Sequence, residues 1–169
     1  MEIVLADIRY LKAFESYVDE CVDDGIDGYE SALDNYQIYL KKRIAYSEGN
    51  ELPDGWPPTS TFFCVRGIEI LGAIRVRHGI NPYIENVIGH IGYETKPSAR
   101  GKGIAKFMLS WVKDNVLTEN AIITCDSTNV ISRKVIESCG AIYLNQFYSE
   151  KENREVLRYQ VGRTQKTSC

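Results

Sequence analysis

The chain has 169 residues, of which 44% are hydrophobic and 25% are charged, as in a single globular domain. This composition excludes disordered, collagen-like and fibrous proteins, and no apolar run approaches the ~20 residues that span a bilayer. The formal net charge of −3 is unlike that of a general nucleic-acid binder, which is normally basic. We therefore expect a cytoplasmic protein that has neither a membrane nor a nucleic acid as its partner.

The first half of the chain predicts one strand, two helices and a pair of strands. In chain order these are a strand at 2–6, a helix capped by Asp7 that ends near Gly25, a helix at 30–46, and strands at 61–66 and 68–77 joined at Gly67. The helices have apolar residues three and four positions apart, and the strands are rich in β-branched and aromatic residues. Glycines and prolines at residues 49–58 predict a long loop.

The second half alternates strands with helices before a final pair of strands. In chain order these are a strand at 87–95, a helix at 103–117, a strand at 121–125, a helix at 129–138, and strands at 141–148 and 155–161. Pro97 closes the first of these strands, because proline cannot donate to a ladder. The order predicts an α/β fold with a mixed sheet, as one domain over residues 1–162 with a tail at 163–169.

The charges and cysteines narrow the choice of ligand. Residues 1–60 carry 13 acidic and 5 basic residues, whereas residues 61–169 carry 10 and 15, so an anionic ligand would prefer the second half. A merely solvated surface gives the same pattern. The five cysteines are odd in number and show no metal-ligand spacing, so we expect reduced thiols and no metal.

A glycine-rich turn follows the strand that ends near Thr95. Gly101 and Gly103 allow close approach of a ligand to the backbone, and the N–H groups of the helix that follows suit a phosphate. Four basic residues surround this turn with no acid between them: Lys96, Arg100, Lys102 and Lys106. A P-loop and a dinucleotide fingerprint both fit poorly, but a loop that only connects two elements remains an alternative.

This turn resembles the acetyl-CoA signature of the GNAT superfamily of acyl-CoA-dependent N-acyltransferases, which reads Arg or Gln, two residues, Gly, one residue, Gly or Ala. Arg100, Gly103 and Ala105 occupy those positions. Asn129 and Ser132 in the next helix look like a second signature, and the resemblance covers nearly the entire chain. It implies a GNAT-like fold, a central mixed and mostly antiparallel sheet flanked by about four helices. Residues 89–93 look like a bacterial subgroup described as predicted acetyltransferases.

The resemblance also implies which residues would hold acetyl-CoA. The N–H groups of residues 101–105 would bind the pyrophosphate, Thr95 would pair with the pantetheine arm through its backbone, and Asn129 and Ser132 would contact that arm. The implied coenzyme contacts are Thr95, Arg100, Gly101, Lys102, Gly103, Ile104, Ala105, Asn129 and Ser132.

Attack of an amine on a thioester requires a group that removes a proton. Strand alternation places His90 and Glu94 on one face with Gly92 between them, so either residue is a candidate base. A bulge in this strand would move these side chains to the opposite face of the sheet.

Many members of the family have a tyrosine as the general acid where this chain has Ile136. The alternatives are Cys139, Tyr143 and Tyr148, and a CoA thiolate can also leave without an acid.

The acceptor amine is the least determined part of the reaction. Arg75 and Arg77 share a strand face and suit a carboxylate on the acceptor, although a solvated pair is an equal alternative. The acidic residues in 19–34 could instead attract a polyamine or a lysine-rich peptide. Homodimers are common in the superfamily, so a homodimer is a further expectation.

Taken together, these patterns and the resemblance predict an N-acetyltransferase that moves an acetyl group from acetyl-CoA directly to a primary amine of a small molecule or a peptide, without a metal. The alternative is a catalytically silent CoA-binding or regulatory module of the same fold, suggested by Ile136. A nucleotide-binding protein is a third interpretation, which rests on the glycine turn alone.

Overall fold

The computed structural model describes residues 1–163 and contains seven strands and four helices of nine residues or more. The strands are β1 (Glu2–Leu5), β2 (Thr59–Arg66), β3 (Glu69–Arg77), β4 (Ile91–Thr95), β5 (Ala121–Asp126), β6 (Ile142–Ser149) and β7 (Arg154–Val161). The helices are α1 (Leu11–Asp23), α2 (Tyr36–Ser47), α3 (Ile104–Asn115) and α4 (Val130–Ser138). Their order along the chain confirms the predicted order. The predicted tail falls mostly at 164–169, outside the described residues.

The strands form one mixed sheet in the order β1-β2-β3-β4-β5-β7-β6. The pairs β1–β2, β2–β3, β5–β7 and β6–β7 are antiparallel, and β4 is parallel to β5, with Ile91 opposite Ile123. This confirms the predicted single α/β domain with a mixed, mostly antiparallel sheet. Among the described residues no helix is long and apolar enough to cross a membrane.

Contacts along the chain group into two compact units. The first unit contains residues 1–79 and 93–105, and the second contains residues 80–92 and, among the described residues, 106–163. The core of the first unit is formed by α1, α2 and the inner strands, with Phe14, Val18, Leu40 and Phe63 almost fully buried. In the second unit, Met108, Leu109 and Val112 of α3 are fully buried, as the three- and four-residue spacing of this helix predicts.

The predicted strand at 87–95 is wrong at its beginning. Residues 84–88 form a π-helical turn, and Gly89 then has a φ of +70° before β4 starts at Ile91. A Cβ atom at Gly89 would lie 2.7 Å from the carbonyl oxygen of Ile122, so the backbone passes β5 too closely for any side chain. His90 therefore precedes the strand, and the alternation argument holds only for Gly92 and Glu94.

The four described cysteines are buried free thiols, namely Cys21, Cys64, Cys125 and Cys139. Burial raises the pKa of Cys21 to about 12 and that of Cys125 to about 11. Thiols of this kind are weakly nucleophilic, because the thiolate is the reactive form. Cys64 and Cys125 therefore act as small buried hydrophobic residues.

Candidate functional site

Glu94 lies in a buried cluster within the first unit, together with Tyr17, Tyr29 and Arg75. Arg75 binds the carboxylate through both terminal nitrogens, with Nη1 2.9 Å from Oε1 and Nη2 2.5 Å from Oε2. The Tyr17 hydroxyl donates to Oε1 at 3.1 Å, and the Tyr29 hydroxyl donates to the same oxygen. The Glu94 side chain is 11% exposed and both tyrosines are buried. One carboxylate is thus neutralised by one guanidinium in a largely buried site.

These contacts fix the protonation states in the cluster. Burial would raise the pKa of Glu94, but the charge of Arg75 and the hydrogen bonds from Arg75, Tyr29 and Tyr17 hold this pKa below its ordinary value. Burial and the charge of Glu94 raise the pKa values of Tyr17 and Tyr29 well above normal. At neutral pH, Glu94 is therefore an anion, and both tyrosines are protonated donors.

A cavity of about 390 Å³ adjoins this cluster in the first unit, and both Tyr29 and Arg75 line it. The other lining residues are Asp27, Gly28, Tyr39, Arg43, Tyr46, Leu52, Pro53, Trp56, Thr59 and Arg77. The predicted acceptor-binding residues Arg75 and Arg77 both lie here, but Arg75 is bound to Glu94. Concave sites with aromatic walls and a few charged groups are typical of small-molecule binding.

Sequence reasoning missed Arg43 as a lining residue of this cavity. Its guanidinium carbon lies 4.7 Å from the centroid of the Tyr39 ring and 5.7 Å from that of Tyr46. The available signal was the spacing on α2, where Tyr39, Arg43 and Tyr46 are four and three residues apart and share one helix face. Arg77 of β3 lies over Trp56 at 5.9 Å.

His90 is held by β5 within the second unit. Its backbone N–H donates to the Ile122 carbonyl at 2.7 Å, and its ring Nδ1 accepts from the Ile122 N–H at 2.9 Å. Because Nδ1 is an acceptor, the neutral ring carries its proton on Nε2. Neither ring nitrogen then offers a lone pair without breaking this contact. The geometry favours a structural role for His90, and its assignment as a base stays a prediction.

The predicted phosphate-binding turn has the backbone that close approach of a ligand requires. Gly101 and Gly103 have φ values of +75° and +76°, and nothing lies within 4 Å of a Cβ built on either. Within residues 1–163, the N–H groups of Gly101, Lys102 and Gly103 have no hydrogen-bond acceptor. The first N–H groups of α3 follow directly and have no partner within the helix. These exposed donors suit an anion.

The acidic end of α1 braces this turn, which the sequence did not indicate. A Glu20 carboxylate oxygen accepts from the Ser98 N–H at 2.5 Å, and the other lies 3.4 Å from Lys96 Nζ. Asp24 pairs with Arg100 at 2.6 Å. Lys96 also pairs with Glu69, at 3.1 Å. Two of the four predicted positive charges are therefore balanced by acids that lie far away in the sequence.

If the contacts of Glu20 and Asp24 hold the turn in shape, Glu20→Gln and Asp24→Asn should each weaken acetyl-CoA binding. We expect an effect of about two- to fivefold, as for partly exposed ion pairs. Asp23→Asn is the matched control, because it removes the same charge at the same helix end. Among the described residues the Asp23 side chain has no partner. Calorimetry on the three variants checks this expectation, and equal weakening by Asp23→Asn would contradict it.

The predicted second signature lies in the second unit. The Asn129 side-chain oxygen caps α4 by accepting from the Ser132 N–H at 3.0 Å. In the described part of the chain the Asn129 amide nitrogen donates no hydrogen bond, so its donors remain available. Ile136 is fully buried at the position where many family members have tyrosine.

The three alternative acids lie in different surroundings. The Cys139 thiol is buried, 3.7 Å from the Ser110 hydroxyl and 3.9 Å from the Lys106 carbonyl oxygen. Tyr143 and Tyr148 are about half exposed, and the Tyr148 hydroxyl donates to Asn153. No contact favours one of these residues as an acid.

Across residues 1–163, no three His, Cys, Asp or Glu side chains are grouped so that they could hold a metal ion.

Comparison with solved structures shows the same fold in several bacterial acetyltransferases. An acetyltransferase from Salmonella typhimurium that modifies the N-terminal serine of ribosomal protein L7/L12 is 16% identical, with a TM-score of 0.65 over 94% of this chain and 92% of the other. RimJ from Mycobacterium smegmatis, solved with CoA-disulfide, is 15% identical, with a TM-score of 0.71 over 94% and 80%.

A third similar structure is a mutant of the spermidine N-acetyltransferase SpeG from Vibrio cholerae. It is 15% identical, with a TM-score of 0.65 over 96% of this chain and 95% of the other. No curated protein sequence matches the chain. The model of the acetyltransferase (GNAT) family matches residues 28–141, which is more than half of the chain and includes the glycine turn, Glu94 and Asn129. The chain belongs to the GNAT family of acetyltransferases.

Proposed function

We propose that the protein is a cytoplasmic N-acetyltransferase that transfers an acetyl group from acetyl-CoA directly to a primary amine. The observation that carries this proposal is the turn at 101–103, whose N–H groups have no acceptor in residues 1–163, within a chain that matches the family. The solved structure of RimJ contains CoA in disulfide form, which supports the same donor here.

The coenzyme contacts are proposed as the family resemblance implies. In the first unit, the N–H groups of residues 101–105 would bind the pyrophosphate, Lys102 would supply positive charge, and Arg100 would contact the pyrophosphate from its pair with Asp24. The Thr95 backbone would pair with the pantetheine arm. In the second unit, Asn129 would donate through its free amide, and Ser132 would contact the same arm. The amine nitrogen then attacks the thioester carbon, and the C–S bond breaks as the tetrahedral intermediate collapses.

Glu94 is proposed to act through Tyr29, which lines the cavity beside it. The Tyr29 hydroxyl donates to the Glu94 anion and accepts one hydrogen bond from Arg75 Nη1 at 3.3 Å, so its second oxygen lone pair remains to accept an N–H from the incoming amine. This contact orients the nitrogen lone pair for attack. The amine proton passes to the Tyr29 oxygen as the Tyr29 proton moves to Glu94, and the same path returns one proton to the CoA thiolate, which leaves as the thiol.

An assay of thiol release with a panel of primary amines tests this function. Amine-dependent release of CoA thiol, with the acetylated amine identified by mass, is expected. Binding of acetyl-CoA without release of CoA thiol for any amine would favour the silent CoA-binding module instead.

A homodimer stays a prediction, which the mass of the protein in solution would test.

A further inference from the structure

We propose that the acceptor amine carries an anionic group, a carboxylate or a phosphate, which binds between Arg43 and Arg77 in the cavity of the first unit. This proposal rests on the proposed function, because it names the substrate class of that reaction. It differs from the sequence prediction in one essential respect. Both terminal nitrogens of Arg75 are bound to Glu94, so the anion-binding pair is Arg43 and Arg77 instead of Arg75 and Arg77.

The charges around the cavity support an anion. Three arginines and Asp27 line the cavity, and Glu94, which lies beside it, neutralises Arg75. The three positive charges therefore exceed the two negative charges by one. Within residues 1–163, Arg43 makes no ion pair, since its contacts are a hydrogen bond to the Tyr39 hydroxyl and the two tyrosine rings. Its half-buried guanidinium therefore keeps donors for a ligand, and guanidinium matches the geometry of carboxylate and phosphate.

The aromatic residues hold the two arginines in place. Tyr39 and Tyr46 contact Arg43, and Trp56 contacts Arg77. A guanidinium that is stacked on a ring loses less freedom when it binds, so such arginines form stronger ligand contacts than mobile surface arginines. This arrangement argues against a pair that is merely solvated.

Three of the acidic residues in 19–34 that could have attracted a polyamine are engaged elsewhere, and the charge of Asp27 is already counted in the cavity. Asp19 accepts from the Tyr36 hydroxyl, Glu20 holds the Ser98 N–H and Lys96, and Asp24 pairs with Arg100. A polycation would also meet the positive excess of the cavity. We therefore expect an anionic amine to be preferred over spermidine.

Matched pairs of amines test this proposal on the whole protein with acetyl-CoA. Tyrosine is compared with tyrosinamide, and O-phosphoethanolamine with ethanolamine, so that the two arms distinguish carboxylate from phosphate, with spermidine as the cationic control. At least one anionic member should show a kcat/KM roughly 10- to 100-fold above that of its neutral partner, the range of a charged hydrogen bond. Neutral members or spermidine used equally well or better would overturn the proposal.

Variants and direct binding separate this proposal from the proposed function. Arg43→Ala and Arg77→Ala should raise KM for the anionic amine about tenfold or more and leave the Kd of acetyl-CoA unchanged, whereas Lys42→Ala, an exposed cation on the same helix, should change neither. Calorimetric titration of the same amines in the presence of CoA requires no acetyl transfer. A panel in which no anionic member binds more tightly than its neutral partner overturns the proposal, even if acetyl-CoA binds.

Discussion

Glu94→Gln should lower the melting temperature at pH 7 by roughly 6–20 °C, because it leaves the largely buried charge of Arg75 without a counter-ion. Removing one partner of a buried ion pair costs about 3–5 kcal/mol, far more than an exposed pair contributes. Thermal unfolding followed by circular dichroism measures this change. Glu137→Gln is the matched control, since it breaks the exposed pair with Arg133 but keeps a side-chain oxygen that can accept from the Tyr159 hydroxyl, so it should have a small effect.

The pH dependence of this difference follows from the direction of the pKa shift. The pKa of Glu94 is lower in the folded state than in the unfolded chain, where it is near the ordinary value of about 4.3. The carboxylate therefore stabilises the fold fully above about pH 4.3, and this stabilisation is lost as the pH falls toward the folded-state value. The melting temperatures of wild type and Glu94→Gln should converge on acidification, and a constant difference between pH 7 and pH 3 would contradict the assignment.

Two further variants separate stability from chemistry. Glu94→Gln combined with Arg75→Met should recover part of the lost stability, because the unpaired charge is removed together with its partner.

Tyr29→Phe keeps the ion pair and removes only the hydroxyl that is proposed to orient the amine. Its kcat should fall about 100-fold, the lower range for a group that assists proton transfer, with little change in acetyl-CoA affinity. Unchanged kcat would exclude the proposed path through Tyr29.

Gly103→Glu should weaken acetyl-CoA binding at least about 100-fold. The substitution places a carboxylate in the turn that is proposed to hold the pyrophosphate, and like charges brought together at an interface cost several kcal/mol. It also forces a side chain onto a residue with a φ of +76°, at a cost of about 1–2 kcal/mol. Calorimetric titration together with a melting curve measures both effects.

Gly67→Glu is the matched control for this variant. Gly67 also has a positive φ, +61°, and nothing lies within 4 Å of a Cβ atom built on it. It carries the same strain and the same added charge in the turn between β2 and β3. We expect a similar loss of stability and unchanged acetyl-CoA affinity. Equal affinity in Gly103→Glu and wild type would show that the turn at 101–103 only connects two elements.

The sequence predicted the elements and the glycine turn because their signals are local. Apolar spacing located α3, and the glycines at 101 and 103 located the turn, each within a few residues. The start of β4 was missed because the close approach of Gly89 to Ile122 is a tertiary contact that alternation does not report. The apolar residues before Gly89 continued the strand pattern although the backbone turns there.

The chemistry of the site depends on contacts between distant residues. Glu94 was a candidate base, but its partners Tyr17, Tyr29 and Arg75 are 19 to 77 residues away, and nothing in the sequence pairs them. The acids at the C-terminal end of α1 suggest a polyamine site from the sequence alone, but in the structure Glu20 and Asp24 contact the turn. Arg43 had a usable signal in its spacing from two tyrosines, but the cavity that gives it a role is formed only by the fold.

The most direct test of the central claim is a calorimetric titration of the protein with acetyl-CoA, with CoA, ATP and NAD as comparisons. Saturable binding of acetyl-CoA, alone or together with CoA, and weak or no binding of ATP and NAD, is the predicted result. A folded sample that does not bind acetyl-CoA, or that binds ATP or NAD more tightly, would contradict an acetyl-CoA-dependent function.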